Sequence, residues 1–229
     1  MANILHIETS TTVCSAALSH DGQVCISRLC AEGMSHASKL PVFIDEILQY
    51  CRSRRMSCDA VAVSAGPGSY TGLRIGVSTA KGLCYGLNAK LLAIDTLQLI
   101  ARAALPKIAD ENALICPMID ARRMEVYTAL YDTNLQKTLD CTAKIIDADA
   151  FADLLDTRKI YFCGDGAAKC QSTITHANAV FLDGIVPLAD NMAAPAEAQY
   201  AAHAFEDVAY FEPFYLKEFQ ATKPRAINL

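Results

Sequence analysis

The stretch of sequence that decides the fold is Gly66-Pro67-Gly68-Ser69-Tyr70-Thr71-Gly72. It follows Ala60-Val61-Ala62-Val63-Ser64, an apolar run typical of a strand buried on both faces of a sheet. After it a helix is predicted to about residue 86, with Thr71 as its N-cap. In open α/β sheets, a turn from strand to helix lies at the carboxyl edge, where ligands and partners bind.

Three well-known glycine motifs do not fit this loop. A dinucleotide-binding fingerprint requires glycine where Thr71 stands, and a phosphate-binding P-loop requires Gly-Lys-Ser/Thr at its end. The nucleophile elbow of hydrolases requires glycine at the positions of Pro67 and Thr71. Two interpretations remain open: a backbone that approaches another group closely, with amides able to hold an anion, or a purely structural turn.

The helix after the loop is rich in small residues, at Gly72, Gly76, Ala80, Gly82 and Gly86. Glycine inside a helix costs roughly 1 kcal/mol relative to alanine, so a compensating close contact is expected. We predict that this contact is another helix. It is either the helix predicted at 38–52 of this chain, which has Pro41 in its first turn, or a helix of another chain.

The remaining pattern predicts two lobes of similar design. Before the loop, three strands form an antiparallel meander at 4–8, 13–18 and 24–29; after it come a strand at 91–94 and a helix that opens at Asp95 or Thr96. Residues 7–18 and 119–130 align at a constant offset of 112, which indicates an internal repeat. The second lobe continues with a strand near 144–146, a helix at 148–155 and a strand at 159–163.

This order of elements predicts an α/β, two-lobed fold of the actin, hexokinase and Hsp70 architecture, with a duplicated mixed-sheet domain and a reduced second lobe. The predicted lobes are residues 1–104 and 105–229. The aromatic tail from Phe205 to Phe219 is expected to fold back onto the first lobe.

Composition excludes several classes of protein. The 229 residues carry a formal net charge of −5, which argues against a broad nucleic-acid-binding face, so any contact with nucleic acid is expected to be shared with a partner. The sequence enters a strand pattern directly and has no apolar run long enough to span a bilayer, which predicts a cytoplasmic protein. The ten cysteines form no C-x-x-C pair and are expected to be reduced, mostly buried thiols.

Few residues offer recognisable chemistry. The turn after Glu8 has no glycine with which to wrap a phosphate, so nucleotide binding there is not expected. The corresponding turn of the second lobe carries Arg122 and Arg123, which either hold an anion or pair with surface carboxylates. None of the five histidines stands at i, i+4 spacing, so we predict no metal site.

At this point three segments together closely resemble the TsaB (YeaZ) family of tRNA threonylcarbamoyladenosine biosynthesis proteins. They are Ile4-Leu5-His6-Ile7-Glu8-Thr9-Ser10, the stretch 64–76 and Ile119-Asp120-Ala121-Arg122-Arg123-Met124-Glu125-Val126-Tyr127. The resemblance spans the first 130 residues, with weaker support at 164–167 and 213–216. It implies an accessory subunit that scaffolds and activates TsaD in making N6-threonylcarbamoyladenosine at position 37 of tRNA.

The resemblance also implies that the chain is not itself an enzyme. In TsaD, a helix after the fifth strand carries two metal-binding histidines, and the matching stretch Ile94-Asp95-Thr96-Leu97-Gln98-Leu99-Ile100-Ala101 has none. No cofactor is therefore expected in the isolated chain, and ATP and metal are expected on TsaD and TsaE. TsaE is a further expected partner, and tRNA is expected to be contacted only within the complex.

The first two helices are the surface that the resemblance assigns to TsaD, or to a second copy when TsaD is absent. The candidate interface residues are Leu40, Ile44, Ile47, Leu48, Thr71, Arg74, Ile75, Gly76, Ser78, Thr79 and Gly82. On this hypothesis, Gly76→Leu abolishes docking and leaves the fold intact.

Two alternatives remain open. One is an enzyme of the same architecture, either a small-molecule kinase or a peptidase-like protein; a kinase would bind Mg-ATP tightly as an isolated chain. The other is a homodimeric interaction module with no connection to tRNA.

Overall fold

The computed structural model describes residues 2–33 and 35–217. The first lobe is built on a sheet whose strands are β1 (Asn3–Glu8), β2 (Cys14–His20), β3 (Gln23–Cys30), β4 (Ala60–Gly66) and β5 (Lys90–Asp95). Their order is β3-β2-β1-β4-β5; β1, β2 and β3 are antiparallel, and β4 and β5 run parallel to β1. The predicted meander and the buried central strand are thus confirmed.

Three helices accompany this sheet: α1 (His36–Arg54), α2 (Tyr70–Leu87) and α3 (Thr96–Ala104). Side chains of β1 alternate between its two faces. Leu5 and Ile7 point into a core shared with α1 and α2, whereas Ile4 belongs to a core that Leu99 of α3 helps to form. The sheet is therefore covered on both sides, which explains the apolar character of β4.

The second lobe repeats this plan. Its strands are β6 (Leu114–Asp120), β7 (Glu125–Tyr131), β8 (Lys137–Ile145), β9 (Ile160–Cys163) and β10 (Ala179–Leu182). The order β8-β7-β6-β9-β10 matches that of the first sheet strand for strand, with the same antiparallel and parallel pairings. The internal repeat and the duplicated two-lobed fold are confirmed. The helix α3 ends at Ala104, and the lobe boundary at 104/105 stays a prediction.

Several predicted boundaries were wrong. α1 begins at His36, two residues before the predicted start, so Pro41 lies inside the helix rather than in its first turn. The strand expected near 144–146 is the end of the longer β8. The helix predicted at 148–155 shrinks to α4 (Ala152–Leu155), because Phe151 has a φ of 68°, which a right-handed helix does not accept.

The chain returns to the first lobe after β10, through a 3-10 turn at Ala189–Met192 and a helix, α5 (Ala193–Ala201), that the sequence pattern did not predict. Residues 205–217, which we call the C-terminal strap, then run along the first lobe. The backbone N–H of Phe214 donates to the carbonyl of Ala65 at 2.7 Å, and Lys81 Nζ donates to two strap carbonyls at 3.0 and 3.1 Å. Phe219, the end of the predicted tail, lies outside the described residues.

All ten cysteines are free thiols. Six of them are buried: Cys14, Cys51, Cys84, Cys116, Cys163 and Cys170. Cys25 is exposed on β3. Within residues 2–33 and 35–217, no helix combines the length and the hydropathy that a membrane span requires.

Candidate functional site

A groove with a volume of about 540 Å³ lies between α1 and α2 of the first lobe. We call it the α1–α2 groove. Its lining is apolar or hydroxyl-bearing except for one cation, and consists of Ala37, Leu40, Pro41, Tyr70, Thr71, Arg74, Ile75, Ser78 and Thr79. Six of these nine residues are among the interface candidates named from the sequence.

Pro41 gives the groove a polar feature that a regular helix would lack. Proline has no backbone N–H, so the carbonyl of Ala37 loses the donor that residue i+4 normally supplies. Both residues line the groove. On the α2 side of the groove, the guanidinium of Arg74 donates to the hydroxyl of Tyr70 at 3.0 Å.

The start of α2 is set by Ser69, whose hydroxyl accepts a hydrogen bond from the backbone N–H of Gly72 at 3.3 Å. The prediction of Thr71 as N-cap was wrong by two residues. Thr71 is instead an exposed residue of the groove wall. The serine one turn before Gly72 satisfies one of the four N–H groups that every helix start leaves unpaired.

Gly68, Gly72 and Gly76 make room for the turn between β1 and β2, not for a second helix. A Cβ atom at Gly68 would lie 2.5 Å from the carbonyl oxygen of Ser10. One at Gly72 would overlap the Thr9 carbonyl, and one at Gly76 would overlap Thr9 Oγ1. In contrast, Gly82 has nothing within 4 Å of its Cβ position. This corrects the predicted role of the small residues at 72 and 76.

The candidate interface residues divide into two groups. Thr71, Arg74, Ile75, Ser78 and Thr79 line the groove, and Leu40 lies beneath it with no exposed surface. Ile44 and Ile47 are buried in the core under α1, and Leu48 packs against that core. Gly82 is exposed on α2. The prediction was wrong for Ile44, Ile47 and Gly76, because their surfaces are already covered by the first lobe itself.

Glu8, at the end of β1, is fully buried. Its Oε1 accepts hydrogen bonds from the backbone N–H of Ser10 at 2.6 Å and from Ser10 Oγ at 2.5 Å. Within the described residues, neither its Oε2 nor the neighbouring Ser64 Oγ makes a hydrogen bond of good geometry. Burial raises the pKa of Glu8 from 4.5 to about 7, although the hydrogen bonds from Ser10 and the nearby polar groups of Ser64 and Thr9 oppose the change.

We predict that ionisation of Glu8 destabilises the fold. Its pKa is higher in the folded state than in the unfolded chain, so its contribution is complete below pH 4.5 and is lost as the pH rises through about 7. The loss by pH 8 is on the order of 3 kcal/mol. Urea unfolding at pH 5 and pH 8 should show this loss of stability in the wild type and not in Glu8→Gln. The buried His6 affects both proteins equally, so the difference between them reports on Glu8. Identical pH profiles would contradict the assignment.

Comparison with known proteins identifies the family. The family model described as "TsaD: tRNA N6-adenosine threonylcarbamoyltransferase" matches residues 32–224. The TsaB protein of Escherichia coli K12 is 30% identical over 227 residues, which cover 96% of this chain and 96% of that protein. The chain belongs to the TsaB family.

Two further matches are a curated relative and a solved structure. The TsaB protein of Haemophilus influenzae is 36% identical over 124 residues, which cover 54% of this chain and 51% of that protein. The solved structure of YeaZ from Pseudomonas aeruginosa superimposes with a TM-score of 0.79 at 24% identity, covering 94% of this chain and all of that one. The structural match supports the two-lobed fold.

Arg122 and Arg123 lie in the β6–β7 turn of this TsaB-family chain, both exposed and both with positive φ, 71° and 49°. The nearby carboxylate of Asp120 is bound by Lys169 at 2.5 Å. In residues 2–33 and 35–217 neither arginine forms an ion pair within 4.0 Å. Anion binding by the two arginines therefore stays a prediction.

The described part of this TsaB-family chain contains no group of three or more His, Cys, Asp or Glu side chains arranged to hold a metal ion. The stretch 94–101, which lacks histidine, forms the end of β5 and the first part of α3. There Asp95, rather than Thr96, is the N-cap: its Oδ1 accepts from the N–H groups of Leu97 and Gln98 at 2.8 and 3.3 Å.

Asp95 also connects the two lobes. Its Oδ2 accepts from Lys137 Nζ at 2.8 Å and from the hydroxyl of Tyr131 at 3.3 Å, both on the second sheet. The same carboxylate lines an interlobe cleft of about 410 Å³ with Asp140 and Cys141. The sequence predicted a helix start here; it carried no signal for the contacts across the lobes.

We predict that Asp95→Ala lowers the free energy of unfolding by about 1–3 kcal/mol, because it removes a helix cap and leaves Lys137 and Tyr131 without their shared acceptor. Asp140→Ala is the matched control, since no hydrogen bond or ion pair involves its carboxylate in the described residues. Urea unfolding followed by circular dichroism measures both variants. Equal stability of the two would show that the Asp95 contacts contribute nothing.

Proposed function

We propose that this chain is an accessory protein of tRNA threonylcarbamoyladenosine biosynthesis and that it docks onto a TsaD-family partner through the α1–α2 groove. The observation that carries the proposal is the groove itself, which gathers Thr71, Arg74, Ile75, Ser78 and Thr79 on one accessible surface. These residues were named as an interface from the sequence. The names of the curated relatives supply the pathway.

The side chains that line the groove favour packing against another helix. Small and hydroxyl-bearing residues such as Ala37, Ser78 and Thr79 allow two backbones to approach, as in ridge-into-groove packing. The exposed Gly82 extends this surface of small side chains along α2. Arg74 adds a single charge that selects a partner helix with a carboxylate at the matching position. We therefore expect docking by an amphipathic helix pair.

In the proposed complex, the partner proteins carry out the chemical steps. The chain scaffolds and activates its partner and does no chemistry of its own; ATP and metal are bound by TsaD and TsaE, and tRNA is contacted only within the complex. In the absence of TsaD the same groove pairs two copies of the chain. The setting is the cytoplasm, where tRNA is modified.

A small-molecule kinase or a peptidase-like enzyme of the same architecture has less support. In such a kinase, the turn after β1 would have to surround a phosphate. Here Ser10 and Thr9 are covered by Gly68 and Gly72 at the start of α2, and Glu8 has no exposed surface on which to meet a substrate. Tight binding of Mg-ATP by the isolated chain would favour the kinase.

Complementation tests the proposal. A bacterial strain depleted of its own TsaB is supplied with the wild-type chain, with Ser78→Arg in the groove, or with Ser172→Arg on the exposed surface of the second lobe. We expect the wild type and Ser172→Arg to restore threonylcarbamoyladenosine in hydrolysed tRNA, measured by mass spectrometry, and Ser78→Arg to fail at equal protein levels. Failure of the wild-type chain would overturn the proposed pathway.

A further inference from the structure

Both walls of the α1–α2 groove are attached to one short turn, residues 9–12, which we call the β1–β2 loop. On the α1 side, the ring of His36 is hydrogen-bonded through Nε2 to the carbonyl of Thr11 at 2.8 Å. On the α2 side, the N–H of Ser69 donates to the carbonyl of Ser10 at 2.7 Å. A shift of this loop therefore moves the starts of both helices.

A second bond to α2 makes the attachment rigid. Thr9 Oγ1 donates to the carbonyl of Gly72 at 2.8 Å, and the space that side chains at 72 and 76 would need is occupied by Thr9. Tyr70 and Thr71, which lie between these anchor points, line the groove. The spacing of the groove walls thus depends on where the β1–β2 loop sits.

The carboxyl group of Glu8 holds the β1–β2 loop in place. Its Oε1 binds both the N–H and the hydroxyl of Ser10, whereas its Oε2 and the neighbouring Ser64 hydroxyl have no well-formed partner among the described residues. A protonated Oε2 can donate to Ser64 Oγ, and the arrangement is then electrically neutral. The ionised carboxylate keeps its hydrogen bonds from Ser10 but places a charge without a counter-ion in a fully buried position, which is costly unless the loop moves to admit water.

No cation offsets that charge within the described residues. The elements packed on β1 are β2, β4, α2, α5 and the turn at Ala189–Met192. Cys14 on β2 is the titratable neighbour, and burial, with a contribution from the Glu8 charge, raises its pKa to about 11, so it stays neutral. β4 has no titratable side chain. On β1 itself, His6 is bonded to Ser19, and burial lowers its pKa to about 3.

The charged residues on the covering elements are occupied elsewhere or exposed. On α2, Arg74 binds the Tyr70 hydroxyl and Lys81 binds strap carbonyls. Asp190, in the turn at Ala189–Met192, is exposed. Glu197 of α5 is an acid and cannot stabilise a second negative charge. Neutralisation of Glu8 therefore requires a proton.

We propose that Glu8 is a positioning residue for the α1–α2 groove, and that ionisation of its carboxyl group loosens the β1–β2 loop and weakens docking of the partner. This inference rests on the proposed function, because it assigns to the same groove a dependence on pH. Glutamine at position 8 mimics the protonated acid: its carbonyl accepts from Ser10, and its amide donates towards Ser64.

Calorimetric titration of the full chain with its TsaD-family partner at pH 6 and pH 8 tests the inference. If only the chain with protonated Glu8 docks, the fraction of chains able to dock falls from about nine tenths at pH 6 to about one tenth at pH 8. The apparent dissociation constant then rises about ten-fold. Glu8→Gln should bind at pH 8 as the wild type does at pH 6. Glu111→Gln, an exposed acid on the second lobe, is the matched control and should keep the wild-type dependence.

The outcomes separate the two proposals. Absence of binding at both pH values for every variant would overturn the docking function itself. Binding with the same pH dependence in wild type and Glu8→Gln would leave docking intact and overturn the role of Glu8. Circular dichroism at both pH values shows that each variant is folded, and loss of the pH dependence in Glu8→Gln alone supports the inference.

Discussion

Gly76→Leu should lower the free energy of unfolding by about 3 kcal/mol or more. A Cβ atom at position 76 would overlap Thr9 Oγ1 and come within 3.4 Å of Val63 Cγ2. Thr9 lies in the β1–β2 loop and Val63 in β4, and close packing there leaves no room for four added carbons. We therefore expect the variant to lose stability because it disrupts packing within the first lobe. The sequence had instead predicted that Gly76→Leu would leave the fold intact and abolish docking.

Gly82→Leu is the matched control for this prediction. It lies on the same helix and has open space at its Cβ position, so leucine should be tolerated and should even raise helix stability by up to about 1 kcal/mol. Urea unfolding midpoints of the two variants, with the wild type alongside, measure the difference. A stable Gly76→Leu protein would mean that α2 can move away from the β1–β2 loop without cost.

Ser78→Arg should weaken binding of the TsaD-family partner by at least about 100-fold, equivalent to about 2.7 kcal/mol. Ser78 is exposed in the wall of the α1–α2 groove, so arginine fills the space that a partner helix needs and places a second cation next to Arg74. Like charges brought together at an interface cost several kcal/mol. Stability should change little, because the side chain remains in solvent.

Ser172→Arg introduces the same side chain on the exposed surface of the second lobe and should leave the affinity unchanged. Both variants are titrated against the partner in one calorimetric series. If Ser78→Arg binds as tightly as Ser172→Arg, the groove is not the docking surface.

Much of the fold could be predicted from local patterns. The alternation in β1 and the apolar run of β4 are patterns among neighbouring residues, and the repeat between residues 7–18 and 119–130 is visible when the sequence is aligned with itself. Elements governed by distant contacts were missed. α5 is rich in alanine and becomes a helix where Ala196 packs into the core beneath β1, and the strap is held by main-chain bonds to Ala65 and Leu91.

Part of the lining of the α1–α2 groove was named before the structure. The exposed residues Arg74 and Ser78 of α2 were named from the family resemblance, whereas the group that contacts an interior glycine could not be named from the sequence. Only the fold shows that Gly72 and Gly76 face Thr9. The burial of Glu8 likewise depends on elements more than 50 residues away, including Ser64 on β4. A polar run after the first strand signals a turn, not the attachment of two helices to it.

Amide hydrogen exchange of the full chain, with and without its TsaD-family partner, tests the docking surface most directly. We predict slower exchange on binding in residues 36–42 of α1 and 70–79 of α2, with the second lobe from 114 to 182 unchanged. Protection confined to the second lobe, with the two helices exchanging as in the free chain, would contradict the account.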